Sequence, residues 1–140
     1  MKKILCLSDG FKQGGAERQL IGLAHFLQEK GYIVTLACYT DGIFYKELID
    51  DYNLDFVILK PKANILSKIQ VVYKFIKSKK IDWVIAYKDG ATSIACISKL
   101  LGLKCNVIVS ERNTTQHLSN REKFKFWLYN YADYIVPNSH

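Results

Sequence analysis

The chain has 140 residues, of which 49% are hydrophobic and 24% charged, a balance typical of one soluble folded domain. Two prolines and eight glycines exclude a collagen-like or low-complexity chain, and no apolar run approaches the roughly 20 residues that cross a bilayer. The 20 basic and 13 acidic residues give a net charge of +7, which favours anionic partners.

Apolar runs and helical periodicities alternate along the chain without a linker or repeat between them. The apolar runs predict six strands, at residues 3–8, 33–39, 56–59, 83–87, 106–110 and 134–136. Apolar residues at helical spacing predict five helices between them, at residues 16–30, 44–52, 64–79, 91–101 and 119–131. Because parallel neighbours need crossover helices, this order predicts a doubly wound parallel sheet, Rossmann-like, in a single three-layer α/β/α domain.

The cysteines and the first residues both indicate a reducing compartment. The cysteines lie far apart inside apolar runs, with no CxxC pair and no histidine at ligand spacing, which favours buried free thiols over metal ligands or disulfides. They are Cys6, Cys38, Cys96 and Cys105. The basic start is followed by an apolar run that ends at Ser8, too short for a signal peptide, so we expect a cytoplasmic protein.

The glycine doublet Gly14-Gly15 lies between the first predicted strand and the first helix. Adjacent glycines let the backbone approach a ligand closely, and a helix start offers free N–H groups with partial positive charge, so this segment is a candidate phosphate site. It matches neither GxGxxG nor a P-loop, which disfavours a dinucleotide dehydrogenase and a nucleoside triphosphatase. The alternative is a glycine-rich turn without a ligand.

The segment Gly14-Gly15-Ala16-Glu17-Arg18 resembles the N-terminal domain of the retaining glycosyltransferases of family 4, which have the GT-B architecture. Residues 107–113, 131–139 and 88–90 are similar to further family segments in order and spacing. The resemblance covers residues 1–140 and implies the acceptor-side domain of a sugar-transferring enzyme. The family's second, nucleotide-sugar-binding domain lies outside these residues, so the resemblance implies that this chain alone lacks turnover.

The resemblance also implies roles for individual residues. Gly14 and Gly15 would bring backbone N–H groups to the diphosphate of a nucleotide-sugar donor. Arg112 would stabilise the phosphate charge that develops as the sugar leaves, without a metal or other cofactor, because a guanidinium stays charged and bonds two oxygens at once. Further substrate-binding candidates, for acceptor hydroxyls or for ordering the loops, are Glu17, Arg18, Asp89 and Asn113. Alternatively, Glu17 and Arg18 form only a helix cap and a surface ion pair.

A lysine-rich stretch, residues 60–80, contains no acidic residue. Family relatives that extend lipid-linked sugars dock on the cytoplasmic leaflet through this domain, so the resemblance implies a peripheral contact with the inner face of the cell membrane. In the last helix, helical spacing predicts that four side chains face the core, those of Phe124, Trp127, Leu128 and Tyr131. Lysines and other aromatics are left on the outer side of this helix. The predicted membrane contacts are Lys74, Lys77, Lys123, Lys125, Phe126 and Tyr129. The alternatives are a solvated face and packing on a second domain.

Three classes of function follow. The leading one is the N-terminal half of a glycosyltransferase acting on a lipid-linked or cell-surface glycan. The second is a non-catalytic module that binds a phosphorylated ligand or an anionic membrane surface. A nucleic-acid-binding domain ranks last, because the basic residues carry no RNP-like aromatic pattern and no helix-turn-helix signal.

Overall fold

A computed structural model of the protein describes residues 1–110 and 120–136. The strands are β1 (Lys3–Leu7), β2 (Ile33–Cys38), β3 (Asp55–Ile58), β4 (Trp83–Tyr87), β5 (Asn106–Ser110) and β6 (Tyr134–Val136). The helices are α1 (Gly15–Glu29), α2 (Lys46–Asp51), α3 (Ile65–Lys79), α4 (Asp89–Leu100) and α5 (Asn120–Leu128), the last followed by a 3₁₀ turn at Tyr129–Tyr131. Each predicted strand and helix is present, with ends that differ by three residues or fewer.

The six strands form one parallel sheet in the order β3-β2-β1-β4-β5-β6. The chain steps outward from β1 to β3 and then crosses back to place β4 on the other side of β1. This confirms the predicted doubly wound, Rossmann-like topology. It also places the reversal of strand order between β1 and β4, where such folds bind ligands.

Helices cover both faces of the sheet, which confirms the three-layer arrangement. On one face, Ile4 and Cys6 of β1 pack in a core with residues of α1 and α2. On the other face, Leu5 and Leu7 pack with residues of α3, α4 and the end of α5. Successive strand residues point to opposite faces, so β1 is apolar throughout because both of its faces are buried.

Two helix boundaries differ from the prediction in a way that affects the site. α4 begins at Asp89 rather than at residue 91, so residues 88–90, which follow β4, form the start of a helix. α5 ends at Leu128, and the next three residues form a 3₁₀ turn. A 3₁₀ turn has about 3.0 residues per turn, so the α-helical spacing used to assign faces does not extend past Leu128.

All four cysteines are free and buried, as the sequence predicts. Burial raises the pKa of Cys6 to about 12 and that of Cys38 to about 11. Burial likewise raises the pKa of Cys96 to about 12, against a small opposing effect of Lys99. These thiols therefore stay protonated near neutral pH and behave as small apolar side chains.

Candidate functional site

The crevice between β1 and β4, at the carboxyl edge of the sheet, contains the candidate site. β1 leads into α1 on one face, whereas its neighbour β4 leads into α4 on the other face. Connections that diverge above neighbouring strands open the crevice in which doubly wound folds bind ligands. Asp9 lies just after β1 and Lys88 directly follows β4, so both residues lie at this crevice.

The loop before α1 is held by Tyr45, from the connection between β2 and α2. The Gly14 N–H donates to the Tyr45 hydroxyl at 3.3 Å, and that hydroxyl donates to the Gly14 carbonyl at 3.0 Å. Within the described chain no side chain caps α1, and nothing lies within 4 Å of the position that a Cβ on Gly15 would take. Gly15 is exposed, and an exposed helix start without a side-chain cap is an arrangement suited to an anion.

Glu17, in the first turn of α1, is only 3% exposed, and its carboxylate forms an ion pair with the Lys88 ammonium. A Cβ on Gly14 would lie 2.3 Å from Glu17 Oε2, so the absence of a side chain at Gly14 makes room for this carboxylate. Arg18 is exposed, and the partner of Glu17 is Lys88 rather than Arg18. This ion pair is consistent with the role of ordering the loop, and the binding of an acceptor hydroxyl by Glu17 stays a prediction.

Lys88 reaches Glu17 from a strained backbone. Its φ of 74° and ψ of 155° lie in a region otherwise occupied by glycine, and such a conformation costs on the order of 1–3 kcal/mol. The ion pair with a buried carboxylate offsets that cost, because an unpaired buried charge is more unfavourable still. Strained residues of this kind are concentrated at functional sites, and Lys88 lies at the crevice between β1 and β4.

The Asp9 side chain caps the start of α4. Its Oδ2 accepts a hydrogen bond from the Gly90 N–H at 3.2 Å, and a Cβ on Gly90 would lie 2.4 Å from Asp9 Oδ1. Burial raises the pKa of the Asp9 carboxyl, although the Gly90 N–H and the ammonium groups of Lys88 and Lys68 act in the opposite direction. The start of α4 is thus occupied by a carboxylate of the protein itself.

A cleft of about 440 Å³ lies beside Asp9, over the carboxyl ends of the strands. It is lined by Asp9, Tyr39, Thr40, Pro61, Lys62, Ala63, Lys68 and Gly90. The Thr40 hydroxyl and the Tyr39 N–H both donate to the Asp9 carbonyl at 3.2 Å, which fixes the ends of β1 and β2 against each other. Burial raises the pKa of the Tyr39 phenol, whose oxygen has no hydrogen-bond partner among the residues described.

The structure brings some of the predicted site residues together and leaves others untested. Gly14, Gly15, Glu17 and Arg18 all lie at the start of α1, beside the crevice. Arg112 and Asn113 lie outside the described residues, as does the side chain of Asp89. No group of three His, Cys, Asp or Glu side chains in residues 1–110 and 120–136 is placed to hold a metal ion.

The predicted membrane contacts have mixed outcomes. Lys74, Lys77 and Lys123 are exposed, and the side chains of Lys125 and Phe126 lie outside the described part of the chain. Tyr129 was predicted to face outward, but this is wrong, because the side chain is only 4% exposed and packs in the core beneath α4. Tyr129 follows the buried Leu128 directly, so the buried face at the end of α5 is rotated away from the predicted stripe.

The same rotation of the buried face exposes two aromatics of α5 that were predicted to be buried. Phe124 is 56% exposed and Trp127 is 48% exposed, whereas Leu128 is buried as predicted. The two exposed rings stack on each other with their centroids 5.9 Å apart. The outer surface of α5 therefore includes the aromatic rings of Phe124 and Trp127, and the predicted exposure of Phe126 stays a prediction.

Sequence reasoning assigned no role to Asp9, Lys88, Tyr45, Tyr39 or Lys68. Asp9, Tyr39 and Lys88 each follow an apolar strand directly or within two residues, and this position at the carboxyl edge is the signal in the sequence that points to them. Tyr45 and Lys68 carry no such signal, because their contacts depend on how α3 and the connection between β2 and α2 pack over the sheet.

Comparison with known proteins identifies a family. The sequence profile described as Glycosyltransferase Family 4 matches residues 13–140. A relative from Campylobacter jejuni is 30% identical over 134 residues, which cover 91% of this chain and 36% of the relative. That relative is described as GalNAc-alpha-(1->4)-GalNAc-alpha-(1->3)-diNAcBac-PP-undecaprenol alpha-1,4-N-acetyl-D-galactosaminyltransferase.

Solved structures of glycosyltransferases with the GT-B fold share the architecture. Alr3699/HepE of Anabaena, in complex with UDP-glucose, matches with a TM-score of 0.79 and 21% identity, over 99% of this chain and 38% of that protein. MurG of Acinetobacter baumannii matches with a TM-score of 0.73 and 18% identity, over 98% of this chain and 41% of that protein. The chain thus spans well under half the length of these relatives.

Proposed function

This chain belongs to glycosyltransferase family 4, and we propose that it forms the acceptor-side part of an enzyme that moves a sugar from a nucleotide-sugar donor to a lipid-linked or cell-surface glycan. The observation that carries the proposal is the open start of α1 beside the crevice between β1 and β4. The C. jejuni relative, whose description includes a diphosphate-linked polyprenol, supports the choice of a lipid-linked acceptor.

In this proposal the backbone amide of Gly15 receives an oxygen of the donor diphosphate, because the Gly14 N–H is already donated to the Tyr45 hydroxyl. Tyr45 holds the Gly14 peptide, and the pairing of Glu17 with Lys88 keeps a buried carboxylate neutralised behind the glycines. A neutralised carboxylate matters there, because an uncompensated negative charge would repel the diphosphate. Arg112 is proposed to stabilise the charge on the leaving phosphate. Asp89, Asn113 and the exposed Arg18 are proposed as further substrate contacts.

The test uses the complete protein encoded by the gene that contains this sequence. It is incubated with labelled UDP-sugars and a polyprenyl-diphosphate-linked saccharide, with and without EDTA, and transfer is followed by chromatography. We expect transfer that EDTA does not abolish, retention of the anomeric configuration, and no transfer by the 140-residue chain alone. Binding of pyrophosphate without any transfer by the complete protein would instead support the non-catalytic module.

The role of Arg112 is tested in the same assay. Removing one donor that stabilises developing charge lowers turnover by about 10²–10³-fold, so we expect a loss of that size for Arg112→Ala. Lys104→Ala is the matched control, because Lys104 is exposed and precedes β5 at the opposite edge of the sheet. Full turnover by Arg112→Ala, with unfolding free energies unchanged in both variants, would refute this role.

A peripheral contact with an anionic membrane is part of the same proposal. Ile65 and Leu66 are 55% and 69% exposed at the start of α3, whose later turns carry the exposed Lys74 and Lys77. Exposed apolar side chains near lysines suit a membrane interface, where each basic residue near anionic lipid contributes about 1 kcal/mol. No helix within the described ranges is both long and apolar enough to cross a bilayer.

Vesicle flotation tests this contact. The protein should float with vesicles that contain phosphatidylglycerol and not with pure phosphatidylcholine. The double variant Lys74→Gln/Lys77→Gln should weaken membrane binding about thirtyfold, as loss of about 1 kcal/mol per lysine implies. Lys104→Gln serves as the control. Equal flotation of the double variant and the wild type would contradict the contact.

A further inference from the structure

The Lys88 ammonium lies between the starts of α1 and α4, at the crevice between β1 and β4. Lys88 directly precedes α4, and its ammonium pairs with the Glu17 carboxylate in the first turn of α1. A Cβ on Gly14 would lie 3.4 Å from Glu17 Oε1, which is the oxygen in contact with this ammonium. One carboxylate therefore separates the ammonium from the glycine doublet.

The two partners of this ion pair differ in exposure. The Glu17 side chain is 3% exposed, whereas the Lys88 side chain is 38% exposed. An ammonium has three N–H donors, and the contact with Glu17 Oε1 uses one of them. Lys88 can therefore stay paired with Glu17 while it donates a second hydrogen bond to an anion in the crevice.

Neutralising Glu17 does not by itself explain why a lysine occupies position 88. The backbone there has a φ of 74°, a conformation that glycine adopts without strain. The double replacement Glu17→Gln/Lys88→Gly would remove both the strained residue and the buried charge, and a buried ion pair is a weak source of stability. The pair has one property that the neutral alternative lacks, which is a fixed cation at the crevice.

The charges near Lys88 indicate what this cation does there. The Asp9 carboxyl lies close enough to Lys88 for the ammonium to lower its pKa, against the larger effect of burial, and Lys68 of α3 acts in the same direction as Lys88. Without the Lys88 ammonium, the Glu17 and Asp9 carboxylates would both repel an anion in the crevice. The ammonium faces both carboxylates and is placed to offset that repulsion.

We propose that Lys88 contacts a phosphate of the nucleotide-sugar donor and that Glu17 is a positioning residue, which holds the ammonium towards the start of α1. The inference rests on the proposed function and adds to it, because there Lys88 only neutralises Glu17. The Gly15 N–H and the Lys88 ammonium then hold one diphosphate between them, the first from α1 and the second from the start of α4. Removal of the ammonium should weaken phosphate binding and leave the acceptor unaffected.

Inorganic pyrophosphate titrated into the 140-residue chain tests the contact without requiring turnover. The comparison is between Glu17→Gln and Glu17→Gln/Lys88→Met, because both have a neutral side chain at position 17 and neither leaves a buried carboxylate unpaired. Isothermal titration should show that the double variant binds pyrophosphate at least about tenfold more weakly, the range for loss of one charged hydrogen bond. Urea unfolding checks that both variants fold, and equal affinities of the two folded variants would overturn the proposal.

Two further variants in the Glu17→Gln background separate the contact from net charge and from stability. Lys104→Met removes the same charge at the opposite edge of the sheet and should leave the affinity within about twofold, because salt screens distant charges. Lys88→Gly removes the ammonium together with the backbone strain, and it should bind pyrophosphate as weakly as Lys88→Met. Recovery of affinity in the glycine variant, or an equal loss in Lys104→Met, would refute the contact.

Kinetics of the complete enzyme place the contact on the donor side and separate it from the proposed function. Relative to Glu17→Gln, the variant Glu17→Gln/Lys88→Met should raise the KM for the nucleotide sugar about tenfold and leave the KM for the acceptor unchanged. A rise in the acceptor KM alone would overturn the proposal. Absence of transfer by the wild type, with pyrophosphate binding that still depends on Lys88, would count against the proposed function only.

Discussion

The starts of α1 and α4 follow neighbouring strands and both contain glycine, yet they are used differently. At α4, Gly90 makes room for the Asp9 carboxylate, which accepts the Gly90 N–H, so that helix start is occupied by the protein itself. At α1, Gly14 makes room for the Glu17 carboxylate, whereas Gly15 faces open space. A glycine at a helix start therefore indicates ligand access only where no side chain of the same chain has taken the space.

The pair between Glu17 and Lys88 joins the two helix starts, so breaking it should have the largest effect. Lys88→Met leaves the buried carboxylate unpaired, and because Lys88 is partly exposed we expect a loss of about 2–3 kcal/mol, somewhat less than for a fully buried pair. Urea unfolding measures this loss. The double variant Glu17→Gln/Lys88→Met should recover most of the stability, and a double variant no more stable than Lys88→Met would contradict the ion pair.

The room that Gly90 provides is tested by adding one carbon. In Gly90→Ala the new Cβ collides with Asp9, and we expect a loss of about 1–2 kcal/mol in unfolding free energy. Gly22→Ala is the matched control, since it lies within α1 with nothing near its Cβ position and should gain about 0.5–1 kcal/mol. Stability changes of the same sign in both variants would contradict the occupied start of α4.

The open start of α1 is tested by placing a charge there. Gly15→Asp should fold normally and bind inorganic pyrophosphate about tenfold more weakly than Gly15→Asn, because its carboxylate opposes the anion at the helix start. Isothermal titration measures both affinities, and the asparagine variant controls for size. Equal affinities would mean that the anion binds elsewhere.

The smallest expected effect is a dependence of the unfolding free energy on pH, through Asp9. Because the pKa of Asp9 is raised on folding, its protonated form is favoured in the folded state, and its stabilising contribution is present below the ordinary value of 3.8 and lost as pH rises through the raised pKa. The stability of the wild type relative to Asp9→Asn should therefore fall as pH rises above 3.8.

Asp133 should contribute a pH dependence of stability opposite to that of Asp9, and it therefore serves as an internal comparison. Burial acts to raise its pKa, but the Lys99 ammonium and the Val107 N–H, 2.7 Å away, outweigh burial and hold the pKa below its usual value. Its stabilising contribution is therefore present above the ordinary pKa and lost as pH falls through the lowered one. Unfolding titrations in which both asparagine variants respond to pH in the same direction would contradict these assignments.

The sequence allowed the fold to be predicted almost completely, because strands buried on both faces appear as apolar runs and the helices between them as periodic stripes. The start of α4 was placed two residues late because the carboxylate that caps it comes from Asp9, far away in sequence, and because Lys88 adopts a backbone conformation that no local pattern indicates. The inward orientation of Tyr129 was missed for a related reason, since the face of α5 that becomes buried depends on how this segment packs against α4.

The candidate site was predictable only in part. The glycine doublet and Glu17 were named because glycine and acidic residues at a helix start are local signals. Their contacts with Lys88 and Tyr45 were not predicted, because side-chain contacts across a sheet depend on strand order and on the length of each connection. Lys68 falls in the lysine-rich stretch that was identified, but its place in a cleft followed only from the packing of α3.

The burial of every native thiol makes the chain a convenient background for site-specific labelling. A maleimide dye attacks the deprotonated sulfur, and the native sulfurs are enclosed and held in their unreactive form. A single cysteine placed at an exposed position such as Ala63 would consequently be the one group to react quickly. A fluorophore mounted there would report occupancy of the neighbouring space in real time, with no need to remove any natural residue first.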